Sequence, residues 1–447
     1  MLGKSPNQKE FQLNLYVSPL QDIINPNHSL IALGKEINWD FLEESFKGYY
    51  STMGAPSKPI RLMVGLLILK HLYNLSDERV VEVWVENPYY QYFTGGIYFS
   101  WEFPCAASDL VHFRHRIGEA GIKLIFEQSV ELHKEAVEES KEVLIDTTVE
   151  EKNITYPTDT KLAVKVIKET RKYAEEAGIK LRQSYRRVVE KLQKQLRYSH
   201  RKEQKKASRR ILKRLRTIAG RLVREVSRKA EALGRIDFRE KQSLYERVLA
   251  QKQDSKDKIY SLHEPQVACI AKGKAHKPYE FGCKIGIATL PKSNVIVGIA
   301  HFLGNPHDSQ TLEATLQQAQ ALCGKTFQTA IVDRGYAGKR KVGETEIILP
   351  SPQKDKHLNT YQKRKKRKQC RSRSAVEPVI GHLKAEHRLK RNFLKGVLGD
   401  KINAWLAAAA FNFRKWLNRF LFCLQKIFTF CQIFASNLFQ LKLKTTF

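Results

Sequence analysis

Apolar residues recur at helical spacing through much of the first 140 positions, and the period then changes abruptly. From Lys58, PIRLMVGLLILKHLYNL predicts a helix with Pro59 at its first turn. Ser76 caps a second, SDERVVEVWVEN, which Pro88 ends. SDLVHFRHRIG at Ser108–Gly118 and GIKLIFEQSVELHKEAVEES at Gly121–Ser140 predict two more helices. Ahead of them, Pro6, Pro19 and Pro26 break the chain, which predicts a loosely structured arm followed by a short helix over Ile37–Ser51. At Lys141 the helical period stops. KEVLIDTT places Val143, Leu144 and Ile145 in a short apolar run, the pattern of a strand buried on both faces, with Asp146 at its end.

Helical spacing returns between Lys161 and Lys258 with Leu181, Val188, Val189, Leu192 and Leu196, then Ile211, Leu212, Leu215, Ile218, Leu222 and Val223. This predicts an antiparallel helical hairpin broken near Gly220 or Gly234. Near His263 the period shortens again. YEFGCKIGIATL and NVIVGIAHFLG predict a β-hairpin around Pro291, Lys292 and Ser293, and DSQTLEATLQQAQAL a helix capped by Asp308 or Ser309. TFQTAIVDRGY and EIILPSP add two strands, followed by a polybasic loop and a closing helix. The predicted domains are an arm at 1–56, an all-helical domain at 57–140, an α/β domain at 141–415 with a basic helical insertion over about 161–262, and an apolar tail at 416–447. Apart from the insertion, the element order is that of a ribonuclease-H-like fold.

Charge narrows the partners. With 78 Lys+Arg against 46 Asp+Glu the formal net charge is +32, which attracts polyanions over long range. Nucleic acid is the expected partner, with a membrane surface as the competing polyanion. Between Lys161 and Lys258 there are 32 Lys+Arg and 12 Asp+Glu, so +20 of the excess lies in the predicted insertion. Its basic face, including Arg209, Arg210, Lys213 and Arg214, is expected to grip a nucleic-acid backbone. In the helical domain, Arg114 and Arg116 are expected on an exposed DNA-reading face, a bundle that merely packs on its neighbour being the alternative.

The seven cysteines are scattered without a CxxC pair, so neither a disulfide framework nor a zinc site is indicated. A cytoplasmic, reducing compartment is expected, since MLGKSPNQKEF lacks an apolar signal core. Gln425, Lys426, Gln432 and Asn437 interrupt the tail, which therefore predicts a packed helix or a dimer contact and no membrane span.

Three acids carry the candidate chemistry. Asp146 and Asp333 each follow an apolar strand, and Glu377 lies on the helix in RSRSAVEPVIGHLKAEHRLKR. Two acids from strand ends and one from a packed helix can meet at a sheet edge. Clustered carboxylates repel unless a cation neutralises them, and all-oxygen ligands suit magnesium or manganese. A pair of such ions about 3.5–4 Å apart can activate the attacking oxygen and stabilise the leaving oxygen of a phosphodiester.

The blocks IDTTVEEKNITYPTDTKL, IVDRGYAG and RSRSAVEPVIGHLKAEHRLKR resemble the three catalytic blocks of bacterial DDE transposases, specifically the insertion sequence 5 family of the insertion sequence 4/5 superfamily. The resemblance runs from about Pro59 through Asn412 and includes GNPHDSQTL and NAWLAAAAFNFRKW. It implies that Asp146, Asp333 and Glu377 are catalytic and hold two magnesium or manganese ions. Arg373, four residues before Glu377, and Lys384, seven after, match the signature around the glutamate and would bind DNA phosphates. The tyrosine of that signature is replaced by Cys370. By the same resemblance the enzyme is a nucleoid-associated homodimer that binds terminal inverted repeats in double-stranded DNA. It would cleave the element ends and join the 3′-hydroxyl to target DNA. Two other functions fit: an inactive DNA-binding descendant, favoured by Cys370, and a ribonuclease-H-like nuclease. His307 and Asp308 are expected to cap a helix, with an approach to the site as the alternative; Arg334 and Tyr336 are expected to shape a turn, with a place at the site as the weaker alternative; and the basic run Gln362–Arg373 is expected to form a DNA-tracking loop.

Overall fold

The computed structural model describes residues 17–444 except 52, 198–203, 253, 272–276, 339 and 351–358, and it describes no side chain beyond 426. The first part of the expected arm, part of the segment before the basic run and the dimer-contact role of the tail therefore lie outside the described residues. The chain forms two compact units, Met1–Glu150 with Lys284–Phe302 and Pro306–Phe447, and Glu151–Cys283 with Leu303–Asn305.

Among the described residues the first unit opens with three helices, Leu20–Ile23, Ser29–Glu36 and Trp39–Lys47. The short helix is where the pattern places it, but its surroundings are not a loose arm. Leu20, Leu30, Leu33, Leu42 and Phe46 are buried, and the Trp39 ring meets Phe93 edge-on with centroids 5.5 Å apart. Pro19 stands at the start of the first of these helices and Pro26 between the first and second, where neither prevents packing. Helices Ile60–Leu72, Asp77–Glu86 and Ala107–Glu131 follow, the last broken at Gly118, whose φ of 59° is left-handed. Against them packs the long helix Gly396–Lys444. Its run of Ala407, Ala408, Ala409 and Ala410 is buried because small side chains allow close approach. Asn412 then ties this helix to the sheet, accepting from the Ile296 N–H at 3.0 Å and donating to the Ile296 carbonyl at 2.9 Å.

The strands are β1 (Glu142–Lys152), β2 (Ala268–Ala271), β3 (Tyr279–Thr289), β4 (Ile296–Phe302), β5 (Thr329–Ile331), β6 (Lys341–Val342), β7 (Thr345–Ile348) and β8 (Arg391–Asn392). In the first unit the order is β4-β3-β1-β5-β7-β6, with β8 beside β1. The expected hairpin is present as antiparallel β3 and β4. β1, β5 and β7 are parallel and in register, so Leu144, Ile331 and Ile348 form one rung. With Val376 they make a small apolar cluster against which Cys370, Ala375 and Ile380 pack. β1 does not end at Asp146, as its apolar run predicts. It continues to Lys152, and Thr148, Val149 and Glu150 are buried within it. The neighbour β5 stops instead, at Ile331, which leaves Asp146 beyond the end of that pairing.

Among its described residues the second unit holds four helices, Asp159–Glu176, Arg186–Arg197, Gln204–Ala232 and Phe238–Ala250, rather than one hairpin. Gly220 lies inside the third, while Gly234, with φ of 69°, makes the turn after it. The helices share an apolar core that includes Leu162, Ile167, Leu192, Leu215, Leu222, Val226 and Phe238. β2 pairs antiparallel with Tyr279–Gly282 in this unit. Among the described residues, no helix is long and apolar enough to cross a membrane.

Candidate active site

The register of the parallel strands builds the site. Glu142, Val143 and Leu144 pair with Thr329, Ala330 and Ile331, and two residues beyond that last rung stand Asp146 on β1 and Asp333 after β5. Asp333 leaves the strand into a single turn, Arg334–Tyr336, and caps it by accepting the Gly335 N–H at 2.8 Å. Glu377 enters from the first turn of helix Val376–Glu386, whose Val376 is fixed in the Leu144–Ile331–Ile348 cluster. Burying that one side chain anchors a helix whose next residue is the acid.

A single guanidinium spans the group. Arg373 donates from Nη1 to Asp146 Oδ2 and from Nη2 to Glu377 Oε1, each at 3.2 Å. Asp146 also accepts the Thr147 N–H at 2.8 Å. Burial pushes the Asp146 carboxyl up to about 6; the Thr147 hydrogen bond and Arg373 oppose that, while the charges of Asp333 and Asp308 add to it. The site thus carries more negative charge than its fixed cations neutralise.

A fourth acid belongs to this surface. Asp308, the first residue of helix Asp308–Cys323, accepts from the Thr147 hydroxyl at 2.8 Å and from Lys284 Nζ at 3.0 Å, both at Oδ1. Lys284 is buried on β3 and also donates to the Pro306 carbonyl at 2.6 Å. Gly335 lies between two carboxylates: a Cβ there would come within 3.0 Å of both Asp308 Oδ2 and Asp333 Oδ1. Beneath them Tyr336 is fully buried, its phenol beside Thr147 and Thr311, and burial together with Asp146 and Asp308 raises its pKa well above the usual range.

Pattern reading missed Lys284 and Thr147 as site residues and placed Asp308 first as a cap, with the site as the alternative. Of the two expected caps it is His307 that caps the helix, its side chain accepting the Ser309 N–H. An acid beginning a helix looks the same in sequence whether it serves the helix or faces a site.

Lys384 is half-buried in the last turn of the glutamate helix, two turns beyond Glu377 and on the same face. The basic run is not a loop. It forms helix Thr360–Ser372, whose cap Asn359 accepts from the Gln362 N–H at 2.8 Å while Gln362 reaches back to the Asn359 N–H. Lys and Arg are good helix formers, which the high charge of this run obscures. Cys370 on that helix is half-buried against the Leu144–Val376 cluster.

Of the other predicted contacts, Arg209, Arg210, Lys213 and Arg214 are exposed along helix Gln204–Ala232 in the second unit. Arg116 is exposed and stacks over the Tyr50 ring, 4.7 Å from its centroid. Arg114 is not on a DNA-reading face. It is only 2% exposed and makes a bidentate ion pair with Asp77 at 2.8 and 2.7 Å, because it shares the buried face of its helix with Leu110, Phe113 and Ile117 and meets Asp77, which also binds Lys70.

Residues 18–116 match the family described as Transposase domain (DUF772), and residues 246–413 match Transposase DDE domain. The chain is also similar to an uncharacterized protein, ORF8 in the nfe locus of Rhizobium meliloti. The two are 42% identical over 179 residues, which is 39% of this chain and 86% of that protein. No solved structure matches. With the acids of strand, turn and helix gathered at one edge of its sheet, the chain belongs to the DDE transposases.

Proposed function

We propose that this protein, read as an insertion sequence 5-type enzyme, binds the terminal inverted repeats of its element. It cleaves the DNA at the ends and joins the freed 3′-hydroxyl to target DNA. The observation that carries this is the Arg373 guanidinium bound at once to Asp146 and Glu377, with Asp333 beside Asp146 past the same rung of the sheet. Three acids from distant parts of the sequence come to one place. The strand order β4-β3-β1-β5-β7, with its last three members parallel, fits a ribonuclease-H-like core.

Asp146, Asp333 and Glu377 suit two magnesium or manganese ions, as the excess of carboxylates and the side-chain-free Gly335 beside Asp333 indicate. Bound there, the ions would supply Lewis acidity to the attacking and leaving oxygens. Burial of Asp146 and the rigid rung below it hold the ligands in place. Arg373 is within reach of a phosphate at the same edge, and Lys384 lies farther along the helix for a flanking phosphate. The exposed arginines and lysine of helix Gln204–Ala232 and the basic helix Thr360–Ser372 supply sequence-independent grip on duplex DNA. A homodimer would hold two element ends.

The test is cleavage of a labelled duplex carrying the inverted repeats that flank the gene, with magnesium and with Glu377→Gln as control. Cleavage at the repeat ends with strand joining, lost in the control, is expected. Nicking without end specificity would instead establish a nuclease, and tight binding with no cleavage a DNA-binding descendant.

A further inference from the structure

We infer that Asp308 is a fourth carboxylate of the metal centre, presenting Oδ2 to the cations beside Asp333. This rests on the metal-dependent function just proposed and adds a ligand outside the predicted triad.

The two oxygens of Asp308 have separate surroundings. Oδ1 is held by two donors, the Thr147 hydroxyl at 2.8 Å and the buried Lys284 ammonium at 3.0 Å. Those two anchors come from adjacent strands, β1 and β3, and fix the carboxylate plane. Oδ2 lies against Gly335, as does Asp333 Oδ1, which accepts the Gly335 N–H. Each is 3.0 Å from the position of a Cβ at residue 335, so the two oxygens are at most 6.0 Å apart. Any side chain at that position would fill the space between them.

A cap role does not account for this arrangement. The helix start is capped by His307, and the lysine that binds Asp308 is buried on a strand and not on the helix. Lys284 is 7% exposed, and orienting a carboxylate toward other carboxylates is unfavourable unless a cation joins them. Thr147 couples the two ends of the device: its hydroxyl holds Asp308 and its N–H holds Asp146.

The experiment uses the full-length protein and two readouts. Titration calorimetry with manganese alone compares wild type, Asp308→Asn and Asp333→Asn. The expected result is a loss of affinity of about tenfold or more in both variants. Binding by Asp308→Asn equal to wild type, with Asp333→Asn impaired, would overturn the assignment while leaving the metal centre intact. Should Asp308→Asn fail to fold, wild-type protein loaded with ferrous iron and treated with ascorbate and peroxide gives an independent map, since backbone scission occurs beside the bound metal. Scission flanking 146, 308 and 333 is expected. Scission at 146 and 333 without 308 would reject Asp308, and no localised scission at any of them would reject the metal centre as well.

Discussion

Arg373 and Asp146 form an ion pair at 3.2 Å between a helical turn and the middle of a buried strand, 227 residues apart in sequence. The same guanidinium reaches Glu377 one helical turn away. Arg373 therefore stands where a cation is needed when no other is present. Replacing it with methionine should lower the thermal midpoint of the metal-free protein, and magnesium should restore more stability to the variant than to wild type. Strand cleavage should fall by roughly 100- to 1,000-fold, as for loss of a charge-stabilising donor. A variant whose midpoint is unchanged without metal would show that the pair contributes nothing.

Asp146 makes the metal-free fold sensitive to pH. Its folded value of about 6 lies above the ordinary 3.8, mainly through burial. The stability associated with holding the proton is fully present below about 3.8 and is lost as pH rises through about 6. The difference corresponds to on the order of 3 kcal/mol. In EDTA, Asp146→Asn should be more stable than wild type at pH 7.5, and this advantage should disappear near pH 4. Denaturant midpoints at the two pH values measure it; equal advantages at both would refute it.

Arg114 and Arg116, two residues apart, should behave oppositely. Burial would raise the Asp77 carboxyl, but hydrogen bonds from Arg114 and the charges of Lys70 and Arg114 outweigh it and hold it well below the usual range. Removing the guanidinium leaves a mostly buried carboxylate with Lys70 alone. Arg114→Met should cost on the order of 3 kcal/mol in urea unfolding. The exposed Arg116→Ala should cost under about 1 kcal/mol. Similar losses in both would contradict the burial of Arg114.

Charge reversal of Arg209, Arg210, Lys213 and Arg214 should leave folding intact because all four are exposed. It should flatten the dependence of DNA affinity on salt, by about 0.9 in the logarithmic slope for each phosphate that the helix no longer neutralises. An unchanged slope, read by fluorescence anisotropy across salt concentrations, would remove this helix from the DNA-binding surface.

The rung Leu144–Ile331–Ile348 sets the positions of the acids, so shortening its centre should harm both stability and chemistry. Ile331→Ala should cost about 2–5 kcal/mol. Among molecules still folded, cleavage should fall further than that of Ile402→Ala, a similarly buried change in the long C-terminal helix. Equal cleavage per folded molecule would separate the rung from the placement of Asp146 and Asp333.

Local physics carried the sequence reading a long way. The apolar runs before Asp146 and Asp333, the hairpin of β3 and β4, and the helix bearing Glu377 were all legible because strand and helix periods depend on neighbours in the chain. What failed was anything set by distant partners. Nothing near Asp146 says that its strand continues to Lys152, because past the end of β5 the strand is held by its other neighbours, β3 and β8, from far along the chain. Arg114 and Arg116 carry the same charge on one helix, and only the position of Asp77 buries one and leaves the other exposed. Pro19 and Pro26 resembled a loose arm because the helices that pack on Leu20–Ile23 and Ser29–Glu36, at Pro88–Phe93 and Gly396–Lys444, come later in the chain.

By itself, then, the sequence determined which residue types stand at the ends of which elements, and that a strongly basic chain carries three acids in transposase-like blocks. Tertiary structure alone decided that Asp146 and Asp333 lie past one common rung, that Arg373 spans two of the acids, and that Asp308 joins them through Lys284 and Thr147. The physical reason is register. A parallel pairing shifted by one residue would turn an acid to the opposite face of the sheet, and the packing that selects the register is spread over residues far apart in the chain.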